Sequence, residues 1–178
     1  MIKIGKVIIS EKVKPKLISE ISGNHNGKLD LALKLIKKSA QNGSDIIKLQ
    51  TYEADSLTLN CNRKDFIINE KKSIWKKQSL YKLYQKGETK KQWHKIIFDE
   101  CKKLNIECFS SIFDVKDIEF LENLKTPAYK ISSFESNHLP LIEKLILTNK
   151  PILISTGLDS LKNLNELKSL FRKKNYTK

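Results

Sequence analysis

Short apolar runs alternate with longer amphipathic stretches along the 178-residue chain, and this alternation repeats five times. Each run has the length of a buried strand, and the residues after it place apolar side chains three and four positions apart, as a helix with one buried face does. The runs occupy residues 17–22, 45–50, 106–111, 128–133 and 151–155. Strands that alternate with helices in this way predict five βα units and a parallel sheet.

The apolar faces predicted for the helices include Ile96 on the second helix, Leu139 on the fourth and Leu161 on the fifth. A polar connection from Thr51 to about Lys72 exceeds the usual connection length, which indicates a functional excursion. Five units fit either a complete doubly wound sheet or the first part of an eight-stranded barrel. The periodicity alone does not decide between these architectures, but both gather ligands at the C-terminal ends of the strands.

Composition is that of a globular protein, with 39% hydrophobic and 8% aromatic residues. No apolar run approaches the ~18 residues of a membrane span, and the first residues do not resemble a signal peptide. We therefore expect a cytoplasmic protein with no membrane partner. The net charge of +14 suggests nucleic-acid binding at first, but only Arg63 and Arg172 among the 34 basic residues are arginines, the residue preferred for base recognition. The lysines are spread over all the helices, so we expect no nucleic-acid partner and a basic surface that attracts anionic substrates.

The cysteines and histidines form no recognisable metal or disulfide pattern. Cys61, Cys101 and Cys108 are odd in number and have neither zinc nor disulfide spacing, and the last two are expected to be buried thiols. His25 lies among turn-forming residues before a helix, and His94 and His138 lie near predicted helix starts.

Polar and charged side chains stand at the C-terminal end of every predicted strand. Two of them, Lys48 and Lys130, lie within apolar strands, where a lysine is costly to bury without an anionic partner. They form either salt bridges, with Glu20 or Glu135, or a clamp for a phosphate or carboxylate ligand. The two carboxylates are also candidates for proton transfer or for binding sugar hydroxyls.

The fifth strand ends in Ser155-Thr156-Gly157, directly before a helix. Two hydroxyls and a glycine at a helix N-terminus favour phosphate binding, because free N–H groups and the helix dipole attract negative charge. This tripeptide supports the anion-clamp interpretation of the lysines.

These residues, in this order, resemble the sialic acid synthase family, whose members use phosphoenolpyruvate. The resemblance covers almost the whole chain and rests on SEISGNHNG (19–27), IKLQTY (47–52), FSSIFD (109–114), YKISSFE (129–135) and ISTG (154–157). Within the family, ADSLTL (54–59), WKKQSLYKLY (75–84) and WH (93–94) are similar to the branch that makes pseudaminic acid, and the neuraminic and legionaminic acid branches are the alternatives. The resemblance implies a (β/α)8 barrel of which residues 1–178 form about the first five units, so that the fold class is α/β, an incomplete TIM barrel.

The resemblance also implies a reaction, condensation of phosphoenolpyruvate and water with a 2,4-diacetamido-2,4,6-trideoxy hexose. The residues implied to be catalytic are Glu20, Lys48, Lys130 and Glu135. Those implied to bind phosphoenolpyruvate are Lys48, Ser111, Lys130, Ser133, Ser155, Thr156 and Gly157. Those implied to bind the sugar are Asn24, Gln50 and Glu135. The full-length family member is expected to be a homodimer that uses a divalent metal (Mn, Mg or Co).

The chain departs from the family pattern because it ends after the fifth unit. The family's two metal-binding histidines and its C-terminal antifreeze-like domain have no counterpart, so we expect no metal ligands here and no activity from this chain alone. Ile112 also stands where the family commonly has proline. Two other functions stay open, a Schiff-base aldolase that uses Lys48 or Lys130 as nucleophile, and a non-catalytic fragment that binds a phosphorylated ligand.

Overall fold

A computed structural model describes all residues, 1–178, as a five-stranded parallel sheet with helices and an N-terminal hairpin. The strands are β1 (Ile2–Ile4), β2 (Val7–Ile9), β3 (Ile18–Glu20), β4 (Ile46–Thr51), β5 (Glu107–Ile112), β6 (Tyr129–Ile131) and β7 (Ile152–Ile154). The α-helices are α1 (Leu29–Gln41), α2 (Ala54–Leu57), α3 (Leu80–Gly87), α4 (Lys91–Lys103), α5 (Asp117–Asn123), α6 (Leu139–Leu147) and α7 (Leu161–Lys173). Short 3-10 turns cover Lys64–Phe66 and Ser133–Glu135.

Strand order decides between the two architectures that the sequence left open. The strands of the parallel sheet follow one another in the order β3-β4-β5-β6-β7. A doubly wound sheet reverses its order at a switch point, whereas a barrel adds each strand beside the last one. The sequential order confirms the prediction of an incomplete barrel of five βα units.

The two faces of the sheet bury different sets of residues. On the helix side, one cluster joins α1 and α4 to β4 and β5, and a second joins α6 and α7 to the strands from β5 to β7. On the opposite face, the interior of the barrel segment, Ile46, Phe109 and Ala128 form the deepest layer. The interior face therefore has an apolar base below the strand ends.

The N-terminal hairpin of β1 and β2 covers this apolar base, and the sequence patterns did not reveal it. Ile4 and Val7 belong to the same buried cluster as Phe109. Gly5 adopts a positive φ of 57° at the turn, and a Cβ there would overlap the Glu107 carboxylate, which accepts a hydrogen bond from the Lys6 amide at 2.9 Å. Strands of three residues are too short for a two-residue period to show in the sequence.

Helix boundaries follow local capping chemistry. The hydroxyls of Ser79 and Ser160 accept hydrogen bonds from backbone N–H groups in the first turns of α3 and α7. Gly43, with φ of 88°, follows the last residues of α1. The long connection after β4 contains α2 and a 3-10 turn, and a β-bridge between Ile67 and Ser79 closes it.

Three of the predicted apolar contacts are wrong. Ile96, Leu139 and Leu161 are 45%, 43% and 81% exposed. Ile96 lies outside the buried stripe of α4, which consists of Trp93, His94, Ile97 and Cys101. Leu139 and Leu161 are the first residues of their helices. The expected burial of Cys101 and Cys108 is confirmed.

Candidate functional site

A layer of polar side chains lies on the interior face, directly above the apolar base. Pairing places Glu20 beside Lys48 on the first two strands of the sheet, and Ser111 beside Lys130 on the next two. Side chains alternate between faces along a strand, so these residues share the interior face with Ile46 and the other residues of the base. Five predicted site residues meet in this layer, which consists of Glu20, Lys48, Ser111, Lys130 and Ser155.

Lys48 is tied to its neighbours on both sides. Its ammonium forms an ion pair with the Glu20 carboxylate and donates to Ser111 Oγ at 3.3 Å. Burial of the side chain, which is 17% exposed, and to a smaller extent the nearby Lys130 charge together lower the pKa of Lys48 to about 8. The salt-bridge alternative is therefore confirmed for Lys48, with Glu20 as the partner.

Lys130 differs from Lys48 because it has no carboxylate partner. Its ammonium donates to Ser155 Oγ at 2.7 Å and to the carbonyl oxygen of Ile131 at 2.5 Å. Burial lowers the pKa of Lys130, and the more distant Glu135 charge acts in the opposite direction without an ion pair. A half-buried cation held only by neutral groups is suited to an incoming anion.

The loops after β6 and β7 approach each other beside Lys130. A Cβ built at Gly157 would lie 3.5 Å from Ser133 Oγ, so Ser133 lies next to the last residue of the predicted Ser155-Thr156-Gly157 cradle. Ser133 is half-buried, whereas Thr156 and Gly157 are exposed. The first turn of α7 begins just beyond them, with Ser160 as its N-cap.

A cavity of about 450 Å³ lies one step above the polar layer, next to Gln50, whose strand position pairs with Ser111. Its lining residues are Gln50, Tyr52, Leu57, Tyr84, Phe113, Ser132, Phe134 and Glu135. Gln50 Oε1 accepts a hydrogen bond from Ser22 Oγ at 3.2 Å. Glu135 Oε2 is buried without a protein partner, and burial raises the pKa of Glu135 although His138 and Lys130 oppose the shift. The cavity therefore joins two polar side chains to an apolar wall.

Asn24 is the predicted site residue that stands apart from this group. It is exposed, and its side-chain amide donates to the carbonyl oxygen of Ile21 at 3.0 Å. That bond shapes the turn after β3. Its side-chain oxygen, Oδ1, can accept a hydrogen bond from a ligand.

Comparisons with known proteins identify the family of the chain. The model of the NeuB family matches residues 35–178. The chain belongs to the NeuB family. It is 42% identical to pseudaminic acid synthase of Campylobacter jejuni subsp. jejuni serotype O:23/36 (strain 81-176) over 170 residues, which are 96% of this chain and 48% of that protein.

Other relatives place the chain within the same group of synthases. It is 32% identical to N,N'-diacetyllegionaminic acid synthase of Campylobacter jejuni subsp. jejuni serotype O:2, covering 86% of this chain and 45% of that protein. The crystal structure of N-acetylneuraminic acid synthetase from Leptospira borgpetersenii serovar Hardjo-bovis, in complex with citrate, matches 98% of this chain and 55% of its own with a TM-score of 0.82 and 24% identity, which supports the fold. This NeuB-family chain spans about half the length of the relatives it matches.

A buried polar network lies behind the site, and sequence reasoning gave its histidine no role. His94 Nε2 accepts from Thr51 Oγ1 at 2.8 Å, and the same hydroxyl contacts Ser110 Oγ at 2.6 Å. Burial lowers the pKa of His94 to about 4, so the ring is neutral near pH 7. Ser110 thus faces α4, while Ser111 faces the site. The two-residue period of β5 predicts this opposition.

The aromatic wall of the cavity was also missed. The ring of Tyr52 meets the rings of Phe113 and Tyr84 edge to face, with centroids 5.7 and 6.2 Å apart. Tyr84 comes from α3, at the end of the long connection, and no local pattern indicates where that connection returns.

No group of three or more His, Cys, Asp or Glu side chains in the chain could hold a metal ion. No helix is long and apolar enough to cross a membrane. A larger cavity, of about 550 Å³, lies near Lys6 and Glu107 at the opposite ends of the strands, away from the lysine pair. Barrel sites form at the C-terminal ends, so the candidate site is the polar layer together with the 450 Å³ cavity.

Proposed function

We propose that this chain provides the phosphoenolpyruvate-binding part of a synthase that makes pseudaminic acid. In the reaction, the methylene carbon of phosphoenolpyruvate attacks the aldehyde carbon of a 2,4-diacetamido-2,4,6-trideoxy hexose. Water adds to the enol carbon. The bond between that carbon and the bridging oxygen of the phosphate group then breaks, and inorganic phosphate leaves with the oxygen. The observation that carries the proposal is the pair of half-buried lysines on one interior layer, of which Lys130 lacks a carboxylate partner.

Lys130 is placed to bind the anionic groups of phosphoenolpyruvate, together with nearby hydroxyls. Ser155 already accepts from its ammonium at 2.7 Å, and Ser133 faces Gly157 across the two loops. Thr156 and the backbone N–H groups before α7 complete a cradle in which charge-assisted hydrogen bonds hold oxygen atoms of the ligand. Ser111 supports the second lysine from the neighbouring strand.

Lys48 and Glu20 would act as a pair whose partner changes when substrate binds. An anion that takes the Lys48 ammonium competes with the Glu20 carboxylate, which then becomes available to accept a proton from the attacking water. Gln50 and Glu135 would hold sugar hydroxyls from the cavity, and Asn24 Oδ1 stays a prediction for the same role.

The residues of this chain do not assemble the divalent-metal site that the resemblance implies, because no cluster of suitable ligands exists among them. The roles proposed above therefore contain no metal-dependent step. The metal, the homodimer, the cytoplasmic location and the inactivity of this chain alone stay predictions.

The sugar specificity is proposed from the relatives. Identity is 42% to a pseudaminic acid synthase and 32% to a legionaminic acid synthase, which favours the first sugar. The neuraminic and legionaminic acids are the alternatives.

A binding measurement tests the phosphoenolpyruvate site directly. We expect calorimetric titration of the 178-residue chain with phosphoenolpyruvate to show binding that Lys130→Met weakens at least about 10-fold, since charged hydrogen bonds are worth about 1.5–3 kcal/mol. Lys144→Met, which removes an exposed lysine of α6, is the matched control. Equal affinities in the two variants would contradict the proposal. Phosphate release in the presence of the amino sugar would separately contradict the expected inactivity of this chain.

A Schiff-base aldolase is the second candidate, because a pKa of about 8 leaves a tenth of the Lys48 amine neutral near pH 7. Borohydride treatment with pyruvate distinguishes the two functions. Mass spectrometry would show a reduced adduct on Lys48 for the aldolase, and an unmodified chain for the synthase.

A further inference from the structure

The cavity above the polar layer has a lining of mixed chemistry. Gln50 and Glu135 supply hydrogen-bonding atoms to the lining, including the buried and unpartnered Glu135 Oε2. Tyr52, Phe113 and Leu57 supply apolar surface to the same lining. A ligand that satisfies this lining needs hydroxyl or amide groups for the polar residues and apolar groups for Tyr52, Phe113 and Leu57.

The hydroxyl of Tyr52 is bonded to the protein and is not available to a ligand. It donates to the carbonyl oxygen of Tyr84 at 3.3 Å, and it lies close to Gly87, where an added Cβ would be 2.9 Å away. Burial raises the pKa of Tyr52 to about 12, so the group stays neutral. Tyr52, which is 7% exposed, therefore contributes a ring to the wall and leaves its polar atom in contact with α3.

The ring of Tyr52 also fixes its neighbour. Phe113 meets it edge to face at 82°, with the centroids 5.7 Å apart, so the two rings form a corner that their mutual contact stabilises. Leu57, on α2, borders the same cavity. An apolar corner favours a methyl group and disfavours a hydroxymethyl group, whose hydroxyl would lose water without gaining a partner there.

From this arrangement we propose that Tyr52, Phe113 and Leu57 determine sugar specificity by selecting a sugar with a methyl group in place of a hydroxymethyl group at the end that enters the cavity. The inference rests on the proposed function, since it assumes that the amino sugar occupies this cavity beside phosphoenolpyruvate. The 6-deoxy position is already part of the proposed substrate, and the inference adds the residues that recognise it.

A matched pair of sugars tests the wall. N-acetylmannosamine and its 6-deoxy counterpart differ by one hydroxyl, and titration of the 178-residue chain saturated with phosphoenolpyruvate is expected to show about 10-fold tighter binding of the 6-deoxy sugar. Phe113→Asn is expected to reduce this preference to twofold or less, and Phe113→Leu to restore most of it. Leu147→Asn, an equivalent change at a 72% exposed position of α6, is expected to keep the preference.

The outcomes separate this inference from the proposed function. Equal binding of the two sugars, or no sugar binding by a chain that binds phosphoenolpyruvate, overturns the inference alone. If the chain prefers the 6-deoxy sugar but does not bind phosphoenolpyruvate, the proposed function is overturned and the role of Tyr52, Phe113 and Leu57 in sugar selection is retained. If circular dichroism shows that Phe113→Asn is unfolded, Leu57→Asn decides, and a preference that survives in a folded variant of the wall overturns the inference.

Discussion

We expect the depressed pKa of Lys48 to make the proposed phosphoenolpyruvate binding sensitive to pH in the range where the ligand itself no longer titrates. A phosphate monoester has its second pKa near about 6, so its charge is nearly constant from pH 7 to pH 9. Lys48 has a pKa of about 8 because of burial and the neighbouring Lys130 charge. Raising the pH over this interval is therefore expected to weaken binding by removing a cation from the site.

The magnitude follows from the protonated fraction. With a pKa of about 8, roughly nine-tenths of Lys48 is charged at pH 7 and roughly one-tenth at pH 9. If binding requires the charged form, the apparent affinity falls by about 10-fold, which corresponds to about 1.4 kcal/mol.

Titration calorimetry at pH 7, 8 and 9 measures this dependence, and Lys48→Arg provides the control. A guanidinium stays charged throughout, so this variant is expected to bind at pH 7 and to lose most of the pH dependence. A constant affinity of the unaltered chain between pH 7 and pH 9 would refute the reasoning. A 10-fold fall that persists in Lys48→Arg would assign the titration to another group, of which Lys130 is the nearest.

Three further predictions concern stability, each measured by urea denaturation. His94 has a pKa of about 4 in the folded chain and its ordinary, higher pKa in the unfolded chain, so between these values only the unfolded chain binds the proton. Lowering the pH from 7 to 4.5 should therefore reduce the free energy of unfolding by about 2–3 kcal/mol. His94→Gln should not show this loss. Lys91→Met should destabilise by about 2 kcal/mol, because it leaves the fully buried Asp117 without its ion-pair partner at 2.7 Å, whereas Lys95→Met, which breaks an exposed pair, should cost less than about 0.5 kcal/mol. Gly5→Ala should cost about 1–2 kcal/mol, because of the positive φ and the adjacent carboxylate; an unchanged midpoint would show that the hairpin does not contribute to stability.

The strand residues of the candidate site could be predicted because side chains alternate between the two faces of a strand. Once Lys48 was assigned to an apolar strand, the period of two placed it with Ile46 on one side and separated it from Leu49 on the other. The same rule separates Ser110 from Ser111. The choice of Glu20 over Glu135 as the partner of Lys48 depended on strand neighbours, which the sequence order alone suggests but does not prove.

Features built from distant segments could not be predicted in the same way. The corner between Tyr52 and Phe113 depends on how the connection after β4 returns through α3, and short-range patterns contain no information about that path. The N-terminal hairpin is recognisable only from its burial of Ile4 and Val7 under the sheet. Ile96 shows the limit of helical periodicity, since the pattern marks an apolar stripe but not its edge.

The alternation of side chains along β4 means that one strand contributes both to the packed core and to the candidate site. Ile46, Lys48 and Gln50 look inward, and Ile47, Leu49 and Thr51 look toward the helices. A single-residue insertion or deletion in this strand would exchange the two sets, sending the lysine into the helix-packed core and two aliphatic side chains into the ligand site. A point substitution in β4 alters only one face of the strand, whereas a change in its length alters both faces at once.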